Sequence, residues 1–467
     1  MRTMFLLAAG LLALMPAGAQ SLADSAEVSD SVVVSEAADV SVPAAPYKVH
    51  GGAWVESGRI MHSSEGSIDL DGSWLQSTGA QFTVVADLGD HWDGAFGFGA
   101  YQVNHSMASS SGLNNQPRFL AITMFKSYLT EARVTYARGK SSAPWFSATF
   151  GNFVHNYNPD AKNLGMYLLR GPVYPGVLFS GYDEHGTDTT RANVLGARLH
   201  TTQGHFSHDL ILQNEKDLPP TFDWSLAYIT KYRPVKNFEI GAGVNFYRVM
   251  AYNPDLETPG RLPGADPSLY DTTGTGAGGD TLFYTHQGIK LVGMFSLDLK
   301  PLIGTASMGP QDLKLYGEAA ILGVKDYGSY YDDITERIPV MVGFNLPMFG
   351  LLDLLSLEVE WYRSPYKNDL ANIGNPGGIV ADWTRQDRPT PSPAPISSAQ
   401  PDRDNWKWSV NLEKTVRKHI QFSAQVANDH FRPRPIATGL ITSSGGTAAA
   451  FTTPKDWYFT FRAGYAF

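Results

Sequence analysis

The amino-acid sequence predicts an all-β protein, a transmembrane antiparallel β-barrel of about 16 strands, with 14 or 18 as the alternatives. Three observations lead to this prediction. From Tyr47 to the end of the 467-residue chain, apolar and polar residues alternate in short runs. Aromatic residues collect near the ends of these runs. The apolar run 338–352 is too short and too rich in proline and glycine for a membrane helix, so a membrane-crossing chain must close its strands into a barrel.

The first 46 residues predict two segments that precede the barrel. Residues 1–19 have the pattern of a secretory signal peptide: Arg2, an apolar stretch from Phe5 to Met15, and the small-residue cleavage site Ala17-Gly18-Ala19. Residues 20–46 are acidic and contain no aromatic residue, which predicts a disordered tether. The barrel is therefore expected over residues 47–467.

The composition excludes several classes of protein. The chain has no cysteine, so it has no disulfide, no cysteine nucleophile and no cysteine-ligated metal. Its net charge of −9 argues against a nucleic-acid partner. No cofactor and no resident metal are expected. Asp266, Asp271 and Asp280 lie in a glycine-rich stretch that could hold calcium, but their spacing matches no known calcium loop, and a solvated loop is preferred.

Two runs show the alternation clearly. In 354–362, Leu355, Leu357, Val359 and Trp361 share one face, whereas Glu358 and Glu360 lie on the other. In 238–247, Phe238, Ile240, Val244 and Phe246 share one face, with Glu239 and Asn245 opposite. Charges recur on the second face in one run after another, so that face is expected to contact water inside the barrel.

Connector lengths predict the topology. In the C-terminal half short connectors such as 233–237 and 415–418 alternate with long ones such as 251–286 and 365–404. Bacterial barrels place short turns on the periplasmic side, so the C-terminus is expected there. In the N-terminal half the expected strands include one at 175–182, and they do not keep this alternation; since the total must be even, one strand between residues 104 and 192 is either missing or misread.

The last strand, DWYFTFRAGYAF, has an almost entirely aromatic or apolar face that includes Phe459, Phe461, Tyr465 and the terminal Phe467. It resembles the C-terminal assembly signal of bacterial outer-membrane proteins. The resemblance implies a Gram-negative outer-membrane β-barrel, with outer-membrane lipid and the barrel-assembly machinery as partners, and it leaves a homotrimer open. Residues 148–181, with Gly151, Phe153, Pro159, Arg170, Pro175 and Gly181, resemble part of the phosphate- and carbohydrate-selective porins, although no basic ladder is evident.

The candidate pore-lining residues are the charged side chains on the inward face of the expected strands. Opposed acids and bases at a constriction would filter solutes by charge; the alternative is a solvated barrel wall without selectivity. These residues are Glu131, Arg133, Lys231, Arg233, Lys290, Lys314, Glu318, Glu358 and Glu360. Residues 155–174 contain an expected helical turn, Asp160–Leu169, which either narrows the lumen or forms a surface loop.

The predicted function is that of a porin, which lets small hydrophilic solutes, sugars among them, diffuse passively through the barrel. Two alternatives remain: an adhesion or structural protein that acts through the long loops 251–286, 365–404 and 431–455, and a substrate-specific transporter for hydrophobic compounds. An enzyme is not expected because the chain lacks a G-x-S-x-G motif.

Overall fold

The computed structural model describes residues 47–63, 71–109, 118–140, 143–170, 192–216, 222–250, 288–303, 308–324, 334–363, 405–429 and 454–467. The chain divides into two units, Met1–Lys48 and Val49–Phe467. The expected signal peptide and tether, the expected strand at 175–182, and most of the three longest loops lie outside the described residues. The second unit contains the barrel.

Sixteen strands account for nearly all of the described regular structure. They are β1 (Tyr47–His62), β2 (Trp74–Gly89), β3 (Trp92–Ser109), β4 (Arg118–Lys140), β5 (Ala143–His155), β6 (Ala192–Gln203), β7 (Phe206–Asn214), β8 (Trp224–Val235), β9 (Phe238–Met250), β10 (Gly288–Asp298), β11 (Lys314–Ile321), β12 (Val340–Asn345), β13 (Leu354–Trp361), β14 (Trp406–Val416), β15 (Ile420–Asn428) and β16 (Trp457–Ala466).

The described helices are short. One α-helical turn, α1, covers Lys300–Ile303, and two 3-10 turns cover Tyr167–Leu169 and Ile334–Arg337. Within the described part of the chain, no helix has the length and apolar character needed to span a bilayer.

The strands form one closed antiparallel ring in chain order. β16 pairs with β1 from Gly52–Ala466 to His62–Trp457, and the backbones of Gly51 and Phe467 exchange hydrogen bonds of 3.0 and 2.9 Å. Every strand of the ring is therefore hydrogen-bonded to a neighbour on both sides, as a lipid environment requires. This ring confirms the predicted fold class and the predicted strand number of 16.

The pairing of β5 also explains the ambiguity in the N-terminal half. β5 is hydrogen-bonded directly to β6, from Phe146–Thr201 to His155–Ala192. The described strands alone close the ring of sixteen, and the expected strand at 175–182 lies outside the described residues. Alternation of apolar residues is a local signal, and it cannot distinguish a barrel strand from an extended piece of a long connector.

Short and long connectors alternate around the whole barrel, not only in its C-terminal half. The turn between β2 and β3 has positive φ at Asp90 and His91, and the turn between β14 and β15 has positive φ at Arg417 and Lys418. Two successive positive φ angles mark the tight hairpin turn that fits the twist of the strands. The long connectors, such as 251–287 and 362–405, all leave the opposite end of the barrel. Both ends of the strand ring, Gly51 and Phe467, lie at the short-turn end.

The outer face is apolar and the inner face is polar. On β13, Leu357 and Val359 are about two-fifths exposed, whereas Glu358 and Glu360 are 1% exposed. Aromatic pairs lie near both ends of the outer face: Trp92 with Tyr136 and Phe206 with Tyr232 at the short-turn end, and Trp74 with Phe459 at the other. An exposed apolar band between aromatic rims is the surface that a bilayer covers.

Candidate functional site in the barrel lumen

Residues 156–170, called the inserted segment here, leave the end of β5 and fold into the barrel. They contact Glu318 on β11 and Glu358 on β13, two side chains on the face opposite to the lipid-facing one. In a closed barrel that face is the inside. The inserted segment therefore narrows the lumen, which is the first of the two outcomes considered for residues 155–174.

An apolar core attaches the inserted segment to the barrel wall. Leu164, Met166, Leu168 and Leu169 are completely buried, in one cluster with inward-facing side chains of the wall: Val194, Ile211, Ala227, Ile229, Val292, Met294 and Met341. Burial of each such side chain stabilises the packing by about 1.5–3 kcal/mol. At Gly243 the wall has no side chain, and a Cβ there would lie 3.0 Å from Leu168 Cδ2, so a larger residue would push the segment away.

The expected helical turn over Asp160–Leu169 is wrong. Only Tyr167–Leu169 forms a turn of 3-10 helix. Gly165 and Met166 have φ of +80° and +59°, which no right-handed helix accommodates. The reason is the hydrogen bonding of this stretch, whose backbone amides point at the barrel wall instead of at carbonyls one turn earlier.

Glu318 is the centre of these contacts. Its carboxylate accepts hydrogen bonds from the backbone amides of Met166 (3.0 Å) and Tyr167 (2.7 Å). It also accepts from Tyr157 Oη at 2.5 Å and Asn158 Nδ2 at 3.0 Å. Burial, and after it the charge of Glu318, raise the pKa of Tyr157 well above its usual value, so this phenol remains a donor. Four donors on one buried carboxylate fix the position of the segment.

Glu358 and Glu360 on β13 form the second attachment. Glu358 accepts from the backbone amides of Lys162, Asn163 and Leu164 at 2.6–2.9 Å. Glu360 accepts from Tyr167 Oη at 2.7 Å. Three successive amides on one carboxylate form an anion-binding concavity of the kind found in backbone nests.

Two buried cations complete the attachment. Lys290 Nζ donates to the carbonyl oxygens of Tyr167 and Arg170. Arg170 turns back onto its own segment and donates to the carbonyls of Gly165 (2.5 Å) and Asn163 (3.0 Å). Both cations are completely buried, and they lie among the buried carboxylates, so their charges offset one another in a region that excludes water.

The inserted segment reaches far along the barrel axis. Near its start, Asp160 accepts from Ser296 Oγ at 2.5 Å and pairs with Lys314 at 2.9 Å, close to the short-turn end. Its end lies beside Lys290, six residues from Ser296 on β10, which is about 20 Å along a strand. Burial alone would raise the pKa of Asp160, but the hydrogen bonds from Ser296 and Lys314 hold it below its usual value. Asn163 Nδ2 extends the contacts to Asp429, just beyond β15, at 2.6 Å.

The other four candidate pore-lining residues lie on the inner wall away from the segment. Arg133 pairs with Asp93 at 2.7 Å and lies 3.6 Å from Glu131. Lys231 pairs with Glu239 at 3.0 Å, and Arg233, which is largely exposed, also contacts Glu239. The nine candidates therefore fall into two groups. Lys290, Lys314, Glu318, Glu358 and Glu360 hold the inserted segment, whereas Glu131, Arg133, Lys231 and Arg233 form partly hydrated ion pairs.

Several residues of the site had no signal in the sequence. The amides that bind Glu358 belong to Lys162, Asn163 and Leu164, and backbone donors leave no trace in residue type. Asp160, Asn163 and Asp429 are polar residues in connectors, where polar residues are the norm. The apolar character of Leu164, Met166, Leu168 and Leu169 was visible, but its partner surface on the inner wall was not.

The last strand has the orientation that its pattern predicts. Phe461 and Tyr465 are each 49% exposed on the outer face, with Phe467 beyond the strand end, and Phe459 packs against Trp74. Tyr458 and Thr460 are buried on the inside. Recognition of this strand by an assembly machinery remains a prediction. Among the described residues, no group of three His, Asp or Glu side chains is placed to hold a metal ion; Asp266, Asp271 and Asp280 are not among them.

Comparisons with known proteins find similar folds but no relative in sequence. No protein-family model matches the chain, and no curated protein matches it. Among solved structures, the chain is similar to a triple mutant of the Rhodopseudomonas blastica porin, with 8% identity, a TM-score of 0.40, and 90% of this chain and 100% of that one covered. It is also similar to Pseudomonas putida OprB at high pH, with 11% identity, a TM-score of 0.44, and coverage of 90% and 94%. At sequence identities this low, similarity to these structures carries no information on function.

Proposed function

We propose that the protein is a porin of the bacterial outer membrane that lets small hydrophilic solutes diffuse through its lumen. The observation that carries the proposal is the closed ring of sixteen strands. A barrel of about 8 strands is filled by its own side chains, whereas one of about 16 encloses an aqueous channel. The polar inner face can be hydrated, which favours a water-filled channel, and the apolar outer face favours insertion in lipid.

The inserted segment gives this channel a constriction. It packs on the inner face of the wall from β6 to β13, and its residues 161–170 are buried there with one exception. A constriction that is fixed by buried carboxylates keeps one shape, so it is expected to set a size limit for solutes. Passive diffusion through a shaped pore requires no catalytic group, and this supports a channel over an enzyme.

An accessibility experiment tests whether the lumen is open. Since the chain has no cysteine, one introduced thiol is unique. Ser423 lies on the inner face of β15 and its neighbour Ala424 on the outer face, both partly buried. In a planar bilayer, a charged water-soluble thiol reagent should lower the current through Ser423→Cys. Ala424→Cys is the matched control, because its thiol faces lipid.

The outcomes separate the hypotheses. Absence of any single-channel current from folded protein would contradict the porin proposal and favour the adhesion alternative. Current that is unaffected by modification of Ser423→Cys would mean that solutes do not pass along this wall. Swelling of proteoliposomes in sugars of increasing size then measures the size limit.

Location and orientation are part of the proposal. The protein should fractionate with the outer membrane and migrate on gels in a heat-modifiable way. Cross-linking of the purified protein tests whether it forms the homotrimer that the sequence leaves open. A tag after Lys236, in the short turn between β8 and β9, should not be labelled on intact cells. A tag at residue 391, in a long connector, should be. The reverse labelling pattern would place the C-terminus outside.

A further inference from the structure

We propose that Lys162 sets the charge preference of the constriction and makes it favour small anions over small cations. This inference rests on the proposed channel function and adds a solute class to it. It is independent of the overall charge of −9, which by itself would suggest a preference for cations.

Lys162 is a part of the inserted segment that water reaches, as are Asn156, Pro159 and Asp160 before it. From Ala161 to Arg170, every other residue is buried, and Lys162 alone is partly exposed. Its backbone amide is fixed on Glu358 Oε1 at 2.6 Å, and the next two amides bind the same carboxylate. The backbone at this point is thus attached to the wall, and the side chain extends on the side that water reaches.

Among the described residues, the ammonium of Lys162 has no carboxylate partner. Its Nζ donates to the carbonyl oxygen of Pro159 at 3.1 Å, a neutral acceptor. The nearest acid in sequence, Asp160, is engaged by Lys314 at 2.9 Å and by Ser296. Partly exposed cations elsewhere on the inner wall, such as Arg133 and Lys231, have carboxylate partners within 3.0 Å. The Lys162 ammonium is therefore in contact with no carboxylate of the described residues.

The acids of the wall do not cancel this charge in the channel. Glu318, Glu358 and Glu360 are 1–3% exposed, and each accepts hydrogen bonds from the inserted segment. β14 and β15 continue the barrel wall next to β13. Their inward side chains nearest to Glu358, Ser409 on β14 and Gln425 on β15, are neutral. A solute that passes the segment thus meets a fixed ammonium ahead of any of these three carboxylates.

A single fixed charge in a narrow aqueous passage has a measurable effect. Coulomb's law in water makes an anion at about 5 Å from an ammonium roughly fourfold more concentrated than a neutral solute, and a cation depleted to a similar degree. Neutralising Lys162 should therefore lower the chloride-to-potassium permeability ratio several-fold, and reversing its charge should lower it further.

The test compares reversal potentials of reconstituted channels across a potassium chloride gradient. The variants are Lys162→Gln, Lys162→Glu and Lys162→Arg, and Lys236→Glu is the control because it makes the same charge change in an exposed short turn outside the lumen. We expect Lys162→Gln to shift the reversal potential toward potassium, Lys162→Glu to shift it further, and Lys162→Arg and Lys236→Glu to leave it near the wild-type value.

A chemical version keeps the test independent of folding. Lys162→Cys, the only thiol of the chain, is purified as a folded channel and then modified with a thiol reagent that adds an ammonium or with one that adds a sulfonate. The ammonium adduct should restore the wild-type reversal potential and the sulfonate adduct should shift it toward potassium. Equal potentials for the two adducts, in a conducting channel, would overturn the role of Lys162. Absence of current in the wild type and in every variant would contradict the channel proposal instead.

Discussion

Two walls of the barrel use the same alternating pattern for different purposes. The covered wall, the inner face of β9–β13, carries Glu318, Glu358 and Glu360, which are buried under the inserted segment. The open wall, the inner face of β1–β4, carries Arg133 and Asp93, which pair at 2.7 Å and remain partly hydrated. A charged residue on the inner face is thus an attachment point where the inserted segment lies on it, whereas Arg133 and Asp93 form a partly hydrated ion pair.

Strand length separates the two walls as well. β1–β4 have 16 to 23 residues, whereas β11–β13 have 6 to 8. About 9–11 residues of a tilted strand cross a bilayer, so β1–β4 extend beyond it. Toward the long connectors their outer face includes polar pairs, Gln76 opposite Asn104 and Thr78 opposite Gln102, beside the exposed rings of Trp74 and Phe125. The outer face of β13 ends in Val359 and Trp361 instead.

Removal of the inserted segment should have the largest effect. Replacing residues 157–169 by a short glycine-serine linker leaves the direct pairing of β5 with β6 intact, so the barrel should still close. The single-channel conductance should rise roughly twofold or more, because the current follows the open cross-section of the pore. An unchanged conductance in a folded barrel would show that the constriction lies elsewhere, in connectors outside the described residues.

Loss of the Glu318 carboxylate should release the inserted segment without opening the barrel. In Glu318→Ala, four donors that are now satisfied lose their acceptor, and each buried unsatisfied donor costs about 1–3 kcal/mol. We expect proteolytic cleavage within residues 156–170 and larger current fluctuations, with heat-modifiable migration retained. Glu239→Ala is the control, because its carboxylate pairs with Lys231 and Arg233 away from the segment. Equal protease resistance of the two variants would mean that Glu318 does not hold the segment.

The fold could be predicted from the sequence because its signals are local. Alternation, aromatic rims and turn lengths each arise within one strand or one hairpin. Strands can therefore be identified one by one along the chain, which gave a predicted total of about 16. The site could not be predicted to the same depth because its contacts are long-range. Glu318 and Tyr167 are far apart in the sequence, and Glu358 binds backbone amides that no residue type reveals. The nine inward charges were identified as a set, but their division into side chains that hold the inserted segment and side chains in partly hydrated ion pairs depends on where residues 156–170 fold.

A substitution at the seam between β1 and β16, at the edge of the open wall, distinguishes an effect on assembly from an effect on stability. In Phe467→Ala the backbone hydrogen bonds with Gly51 remain, and only an aromatic ring that is 39% exposed is lost. If the C-terminal strand is an assembly signal, the amount of protein in the outer membrane should fall several-fold while the melting temperature of the assembled fraction changes little. Ala466→Gly, on the opposite face of the strand, is the matched control for both measurements. Normal abundance of Phe467→Ala would make β16 an ordinary barrel strand.

The smallest effect is expected from the ion pair of the open wall. Arg133 and Asp93 have side chains that are 22% and 36% exposed, so water and salt screen their attraction, and such a pair contributes about 0–1 kcal/mol to stability. A double-mutant cycle of Arg133→Met and Asp93→Asn, measured by unfolding in detergent, should give a coupling energy within that range, and it should decrease as salt is raised. Glu318→Ala should show no comparable salt dependence, because its hydrogen bonds are buried under the inserted segment. A large, salt-insensitive coupling between Arg133 and Asp93 would mean that the open wall is covered too, and the distinction between the two walls would fail.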